Sequence, residues 1–217
     1  MIIQLRIGTS QRLAGYIAAQ VHALFPSTGV TSDVNDISRL LPAALERLRP
    51  MLEAVRNFTP NYFDHLNSLQ YCAFLYLLAT EAANEFPGSE LADRFFCLNR
   101  TLNSIDLYHK VKMPPVFFIS HGLGTVIGDA TYGNQLVVFQ NVTVGRVGTD
   151  RPTIGAKVVL FPGASVTGNS IIGDGSVVSA GTRIHNCTVP PETLATMSGR
   201  RLLLRPRPRD FLALYLR

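Results

Sequence analysis

From Ile154 to Ile184 an aliphatic residue returns at every sixth position: Ile154, Leu160, Val166, Ile172, Val178 and Ile184. Neither a helical period nor strand alternation produces that spacing. Four residues after each anchor stands a small or β-branched residue: Val158, Ala164, Ser170, Ser176, Thr182 and Thr188. Two constrained positions in every six describe a hexapeptide repeat, which predicts a triangular parallel β-helix. Each face takes one hexapeptide, the anchor points inward, and only a small side chain fits beside the tight corner. Stacking of successive coils supplies the core.

The grid continues upstream in a second phase, with Ile127 and Phe139 as anchors, His121 and Gly133 in anchor slots, and Thr125, Thr131, Val137 and Thr143 in the small slot. Phe139 and Ile154 are fifteen residues apart, so three surplus residues are expected to leave the coil as a loop over 145–153, GRVGTDRPT. Its glycine and polar content suits an excursion. A polar anchor followed by a loop is where chemistry is expected, although His121 at the mouth of a first coil could equally be a solvated residue.

The 217 residues are 47% hydrophobic, with a mean hydropathy of +0.18. Such a chain can bury a sizeable core in one or two domains. No stretch approaches the length of a membrane span, and the first fifteen residues lack the apolar block of a signal peptide. A cytoplasmic protein is expected. Cys72, Cys97 and Cys187 show neither metal-ligand spacing nor a disulfide framework, so buried free thiols are expected. The net charge of +5 resides in residues 200–217, where six arginines face Asp210 alone. One basic tail without a recognition motif does not make a nucleic-acid binder.

Residues 1–105 read as an α-helical domain. Apolar spacing is helical from Ile37 through Leu40, Leu41, Leu45, Leu48, Leu52 and Val55, and again from Leu91 to Ile105. Between them, Leu66 to Ala83 is apolar around most of its circumference. That implies burial against other helices or a second subunit, and makes this domain a candidate for oligomerisation. Pro87 and Gly88 interrupt the helices, while Pro114 and Pro115 separate them from the coils. The predicted class is therefore α+β: a helical domain over 1–105, a β-helix over 106–199 and a basic tail over 200–217.

The stretch from Ile105 to Ile184 resembles the serine acetyltransferases of the left-handed β-helix acyltransferase superfamily. The likeness rests on IDLYHKVKMPPVFFISHGLGTVIG, VVFQNVTVG, the loop with Asp150 and Arg151, and the coils after Ile154. The helical segment FDHLNSLQYCAFLYLL is further similar to serine-acetyltransferase-like proteins of surface-polysaccharide gene clusters. The left hand is implied by this resemblance, because crossover sterics alone favour the right.

The resemblance implies an acetyl-CoA-dependent O-acetyltransferase with His121 as catalytic base and Asp106, fifteen residues earlier, as its orienting carboxylate. A neutral imidazole can take the proton of a hydroxyl that attacks the thioester, and a carboxylate fixes the useful tautomer. Arg151 matches the arginine that binds the acceptor carboxylate; Ser120, Gln140 and Asp64 complete the expected acceptor site. Coenzyme A is expected along the groove between neighbouring β-helices of a homotrimer or dimer of trimers, at Gly145, Arg146, Pro162, Gly163, Ala180 and Gly181, with Arg200 and Arg201 near its phosphates. No metal is expected.

Two departures bear on the acceptor. Relatives that acetylate serine carry an acidic residue before the histidine and a histidine after the loop arginine, where this chain has Ser120 and Pro152. An ammonium without its carboxylate is poorly held, so a sugar or other neutral hydroxyl metabolite is expected above free serine, with Asp64 as a possible source of the missing charge. Authentic serine acetylation and a non-catalytic scaffold are the alternatives. The family's terminal isoleucine, which docks a cysteine-synthesis partner, is absent, and that complex is not expected.

Overall fold

The computed structural model describes residues 2–26 and 33–217. Four helices come first: α1 Ser10–Leu24, α2 Asp33–Ala54, α3 Ser68–Glu85 and α4 Leu91–Asn103. Thr9 and Asn67 cap α1 and α3 by accepting bonds from the Arg12 and Leu69 backbone N–H groups, supplying acceptors that a free helix start lacks. A short parallel pair, Gln4–Leu5 with Tyr62–Phe63, ties the N-terminus to the segment before α3. No helix among the described residues is long and apolar enough to cross a membrane.

α3 is the pillar of this domain. Eleven of its residues, Gln70 to Ala79 and Ala82, are buried within the protomer. It packs on α2, on α4 and on the strand Phe117–Ser120. Its apolar circumference is thus covered by other helices and the first coil of the same chain; Leu66 alone of the large apolar residues in that stretch stays well exposed.

From Ile105 onward the chain winds into a left-handed parallel β-helix of about five turns. Its three faces are sheets of five, four and six strands; the last strand of the six, Arg201–Pro206, runs antiparallel to Thr193–Ser198. The anchors behave as the period demands: Ile127, Ile154, Leu160, Val166, Ile172, Val178 and Ile184 are all buried. Leu160 stands opposite Val178 and Val166 opposite Ile184, eighteen residues apart. The last turn is one residue short, pairing Ile172 with Val189, which puts Val189 inside and Thr188 outside.

The upstream phase differs from the sequence expectation. Val137 and Val138 pair with Val159 and Leu160, and Val144 with Val166, twenty-two residues apart. The loop therefore holds four surplus residues rather than three. The inward anchors are Tyr132, Val138 and Val144, while Phe139 faces outward and stacks on Phe161. Gly133 is no anchor either. A Cβ there would lie 2.4 Å from the Gly155 carbonyl carbon, so its lack of a side chain lets two coils abut.

The tail packs rather than trailing in solvent. Phe211 and Tyr215 lie edge-on to the Phe139–Phe161 pair. Arg217 then donates to the carbonyl of Glu53 in the last turn of α2 and to those of Arg56 and Phe58 just beyond it. Arg207 is held by Glu192 and Asp210. All three cysteines are free, but only Cys72 is fully buried; burial pushes its thiol up to about 12.

Candidate active site

One long edge of the prism collects most of the residues singled out above. Where the six-stranded face turns into the five-stranded face, the corners are stacked: the Gly163 N–H donates to the Gln140 carbonyl, and the Gly181 N–H donates to the Pro162 carbonyl. Gly163 and Gly181 take φ of 70° and 67°, and a Cβ on Gly163 would sit 3.8 Å from the Gly181 backbone. The edge is thus a strip of backbone without bulky side chains, assembled from Gln140, Pro162, Gly163, Ala180 and Gly181. Gln140 adds a buried side-chain oxygen, Oε1, that has no hydrogen-bond partner among the described residues, the kind of orphan acceptor that a ligand satisfies. Gly145 and Arg146 stand apart, at the far end of the strand Thr143–Gly145.

His121 heads this edge. Ser120 pairs with Phe139 and Val126 with Thr143, so five residues span the corner where the coil below uses three. The two extra residues form a bulge. Gly124 repeats the left-handed turn of Asn141, Gly163 and Gly181; His121, at φ 62°, adds a second left-handed residue that the lower corners lack. Such backbone is uncommon outside glycine and marks an over-determined position. The bulge rests on the exit of the helical domain: the Gly124 N–H donates to the Ser104 carbonyl, and a Cβ on Gly122 would lie 3.2 Å from the Asn103 carbonyl oxygen. The consequence is that His121 does not point inward as an anchor. It is exposed, at the top of the ladder.

Asp106 lies in the neighbouring layer, on the strand Ile105–Asp106, opposite Val126. Its carboxylate is 3.7 Å from the Arg100 guanidinium, and no hydrogen bond joins it to His121 in the single chain. Ser120 is buried beside the bulge. At the other end of the stack, Ala195 pairs with Val178 and the strand runs on to Ser198, past the edge that carries Ala180. Arg200 and Arg201 sit on the lip so formed, both exposed.

Asp64 does not carry a free charge. It is paired with Arg6 at 2.8 Å and also accepts from the Leu66 N–H. Against the upward push of its partial burial, these bonds hold its carboxyl below the ordinary range. Arg151 follows a tight hairpin in which Val147 and Asp150 exchange two backbone bonds. Its guanidinium Nε lies 3.2 Å from Asp129, a residue that reading the sequence missed. The signal was present: Asp129 and Arg151 are twenty-two residues apart, the offset that pairs Thr131 with Thr153. A surplus of three residues in the loop hides that match.

The helical domain, the three-sided stack and the bare corner ladder headed by a histidine define a protein of the hexapeptide-repeat β-helix fold. Comparison narrows the likeness to serine acetyltransferases. The Bacillus subtilis serine acetyltransferase is 32% identical over 108 residues, which are 48% of this chain and 50% of that one. That of Synechococcus elongatus is 33% identical over 102 residues, 42% of each chain. The chain thus spans about half the length of the curated relatives it matches. Soybean serine acetyltransferase shares the fold, with a TM-score of 0.66 and 23% identity over 90% of this chain and 84% of that one. No family model matches.

Proposed function

We propose that the protein transfers the acetyl group of acetyl-CoA to a hydroxyl oxygen, with L-serine as the acceptor. The observation that carries the transfer is the two-residue bulge that presents His121, exposed, at the head of a glycine-cornered edge. The serine acceptor rests on the relatives, every one named above being a serine acetyltransferase. This reverses the preference for a sugar drawn from Ser120 and Pro152.

In this reading His121 takes the hydroxyl proton as the acceptor oxygen attacks the thioester carbonyl, and backbone N–H groups hold the oxyanion. Collapse of the tetrahedral intermediate expels the CoA sulfur, which receives the proton from the imidazolium and leaves as free thiol. Asp106 orients the imidazole once the site is complete. The thioester arm lies along Gln140, Pro162, Gly163, Ala180 and Gly181, its phosphates towards Arg200 and Arg201, with Gly145 and Arg146 contributed across the groove by a second β-helix of a trimer. Arg151 receives the serine carboxylate. The chemistry calls for no metal.

One observation favours a second reading, a neutral hydroxyl acceptor such as a sugar. Ser120 is uncharged and Asp64 is committed to Arg6, so the serine ammonium lacks an obvious carboxylate partner. A panel of acceptors with acetyl-CoA, read by released thiol, decides between them. The serine reading expects kcat/KM for L-serine of about 10⁴ M⁻¹s⁻¹ or better. A higher value for a neutral sugar establishes the second reading, and no thiol with any hydroxyl acceptor refutes both.

A further inference from the structure

Asp129 and Arg151 form an ion pair that the fold does not need. Both side chains are about half exposed, so the pair adds little to stability. Yet the surroundings hold both ends in place. Asp129 follows Gly128, where a Cβ would meet the Val144 carbonyl oxygen at 2.9 Å, so the corner is seated on the coil below. The Thr131 N–H donates to the Pro152 carbonyl, pinning the returning loop two residues after Asp129 and one after Arg151. Asp129 comes nearest to Arg151 on the Nε side, 3.2 Å away, and among the described residues the Arg151 side chain forms no hydrogen bond. A charge partner on the Nε side draws the guanidinium towards the corner and leaves its outer fork available to grip a carboxylate through two parallel bonds.

We infer that Asp129 is a positioning residue for the acceptor: it fixes Arg151 so that the free fork accepts the carboxylate of an amino-acid substrate. The inference rests on the serine reading above, and it separates the two acceptor classes, because a neutral sugar offers no carboxylate to that fork. Asp129 touches neither reacting atom, so its effect falls on acceptor affinity. A freely rotating Arg151 has to be ordered each time serine binds, a cost the fixed one has already met.

The test is steady-state kinetics of wild type, Asp129→Asn and Asp129→Glu with acetyl-CoA and L-serine, together with thermal midpoints. Asp129→Asn is expected to raise KM for serine about tenfold or more, while kcat and the KM for acetyl-CoA change less than about threefold. Asp129→Glu is expected to recover most of the loss, and both variants to melt with wild type. If wild type acetylates serine and Asp129→Asn has an unchanged KM, or loses kcat and acetyl-CoA affinity alike, Asp129 is not a positioning residue and the serine reading survives. If wild type does not acetylate serine at all, the reading and the inference fall together.

Discussion

The coils below Ile154 and the coil that carries His121 are made of the same short parallel strands, and they differ in how they treat surplus residues. Below, eighteen residues close each of the pairings Leu160–Val178 and Val166–Ile184, and nothing is left over. Above, the corner at His121 holds two extra residues and the turn through Arg151 holds four. The regular coils bury their anchors almost completely, whereas the bulged corner and the loop are largely solvated and bring His121 and Arg151 to the surface. Period makes the scaffold, and departures from period carry the polar groups that can act on a ligand.

That contrast can be broken by experiment. The largest effect is expected from His121→Ala, which should cut turnover at least about a hundredfold, as loss of a general base does. Because the side chain is exposed and makes no hydrogen bond among the described residues, the thermal midpoint should stay within a few degrees. Next comes deletion of residues 147–150, which restores an eighteen-residue turn. The coil should remain folded, as measured by circular dichroism, while acceptor turnover falls about tenfold or more through loss of Arg151's placement. Equal loss of fold would mean that the hairpin is structural.

Ile184→Ala, in a regular coil, should do the reverse. Removing a buried aliphatic anchor costs about 2–5 kcal/mol of stability, read by denaturant titration, with turnover per folded molecule preserved. The smallest effect concerns the helical domain. His109 is nearly buried, and burial lowers its pKa, with Lys110 adding to the shift and Asp93 opposing it. The unfolded chain binds a proton below about 6.5 that the folded chain resists, so stability should be intact at neutral pH and decline as pH falls towards 5. His109→Gln should flatten that slope in thermal melts, and an unchanged slope would assign it to other groups.

How much of this was legible in the sequence follows the same division. The anchors from Ile154 to Ile184 could be placed because each repeats the spacing of its neighbour. The helices containing Leu48 and Phe95 could be placed because amphipathic spacing is local. Counting in sixes from Ile127 lands on Gly133 and Phe139, but the coil steps five residues from Ile127 to Tyr132, so Val138 faces inward and the loop holds one residue more than the count from Phe139 allows. His121 fell in an anchor slot by number, yet the bulge turns it outward. The tail's return to α2 was invisible, because Arg217 meets Glu53 across 164 positions and no local pattern encodes such a contact. The orphan Oε1 of Gln140 and the Asp129–Arg151 pair belong to the same class: they depend on which coil lies above which.

The most direct test sets His121→Ala beside Ile184→Ala, measuring thiol release from acetyl-CoA with L-serine and thermal midpoint on the same samples. The account predicts opposite outcomes: His121→Ala melts with wild type and has lost at least about 99% of its turnover, while Ile184→Ala melts lower and, below its transition, turns over at near wild-type rate. Near wild-type turnover in His121→Ala, with or without a change in melting, would contradict the placement of the chemistry on the bulged corner.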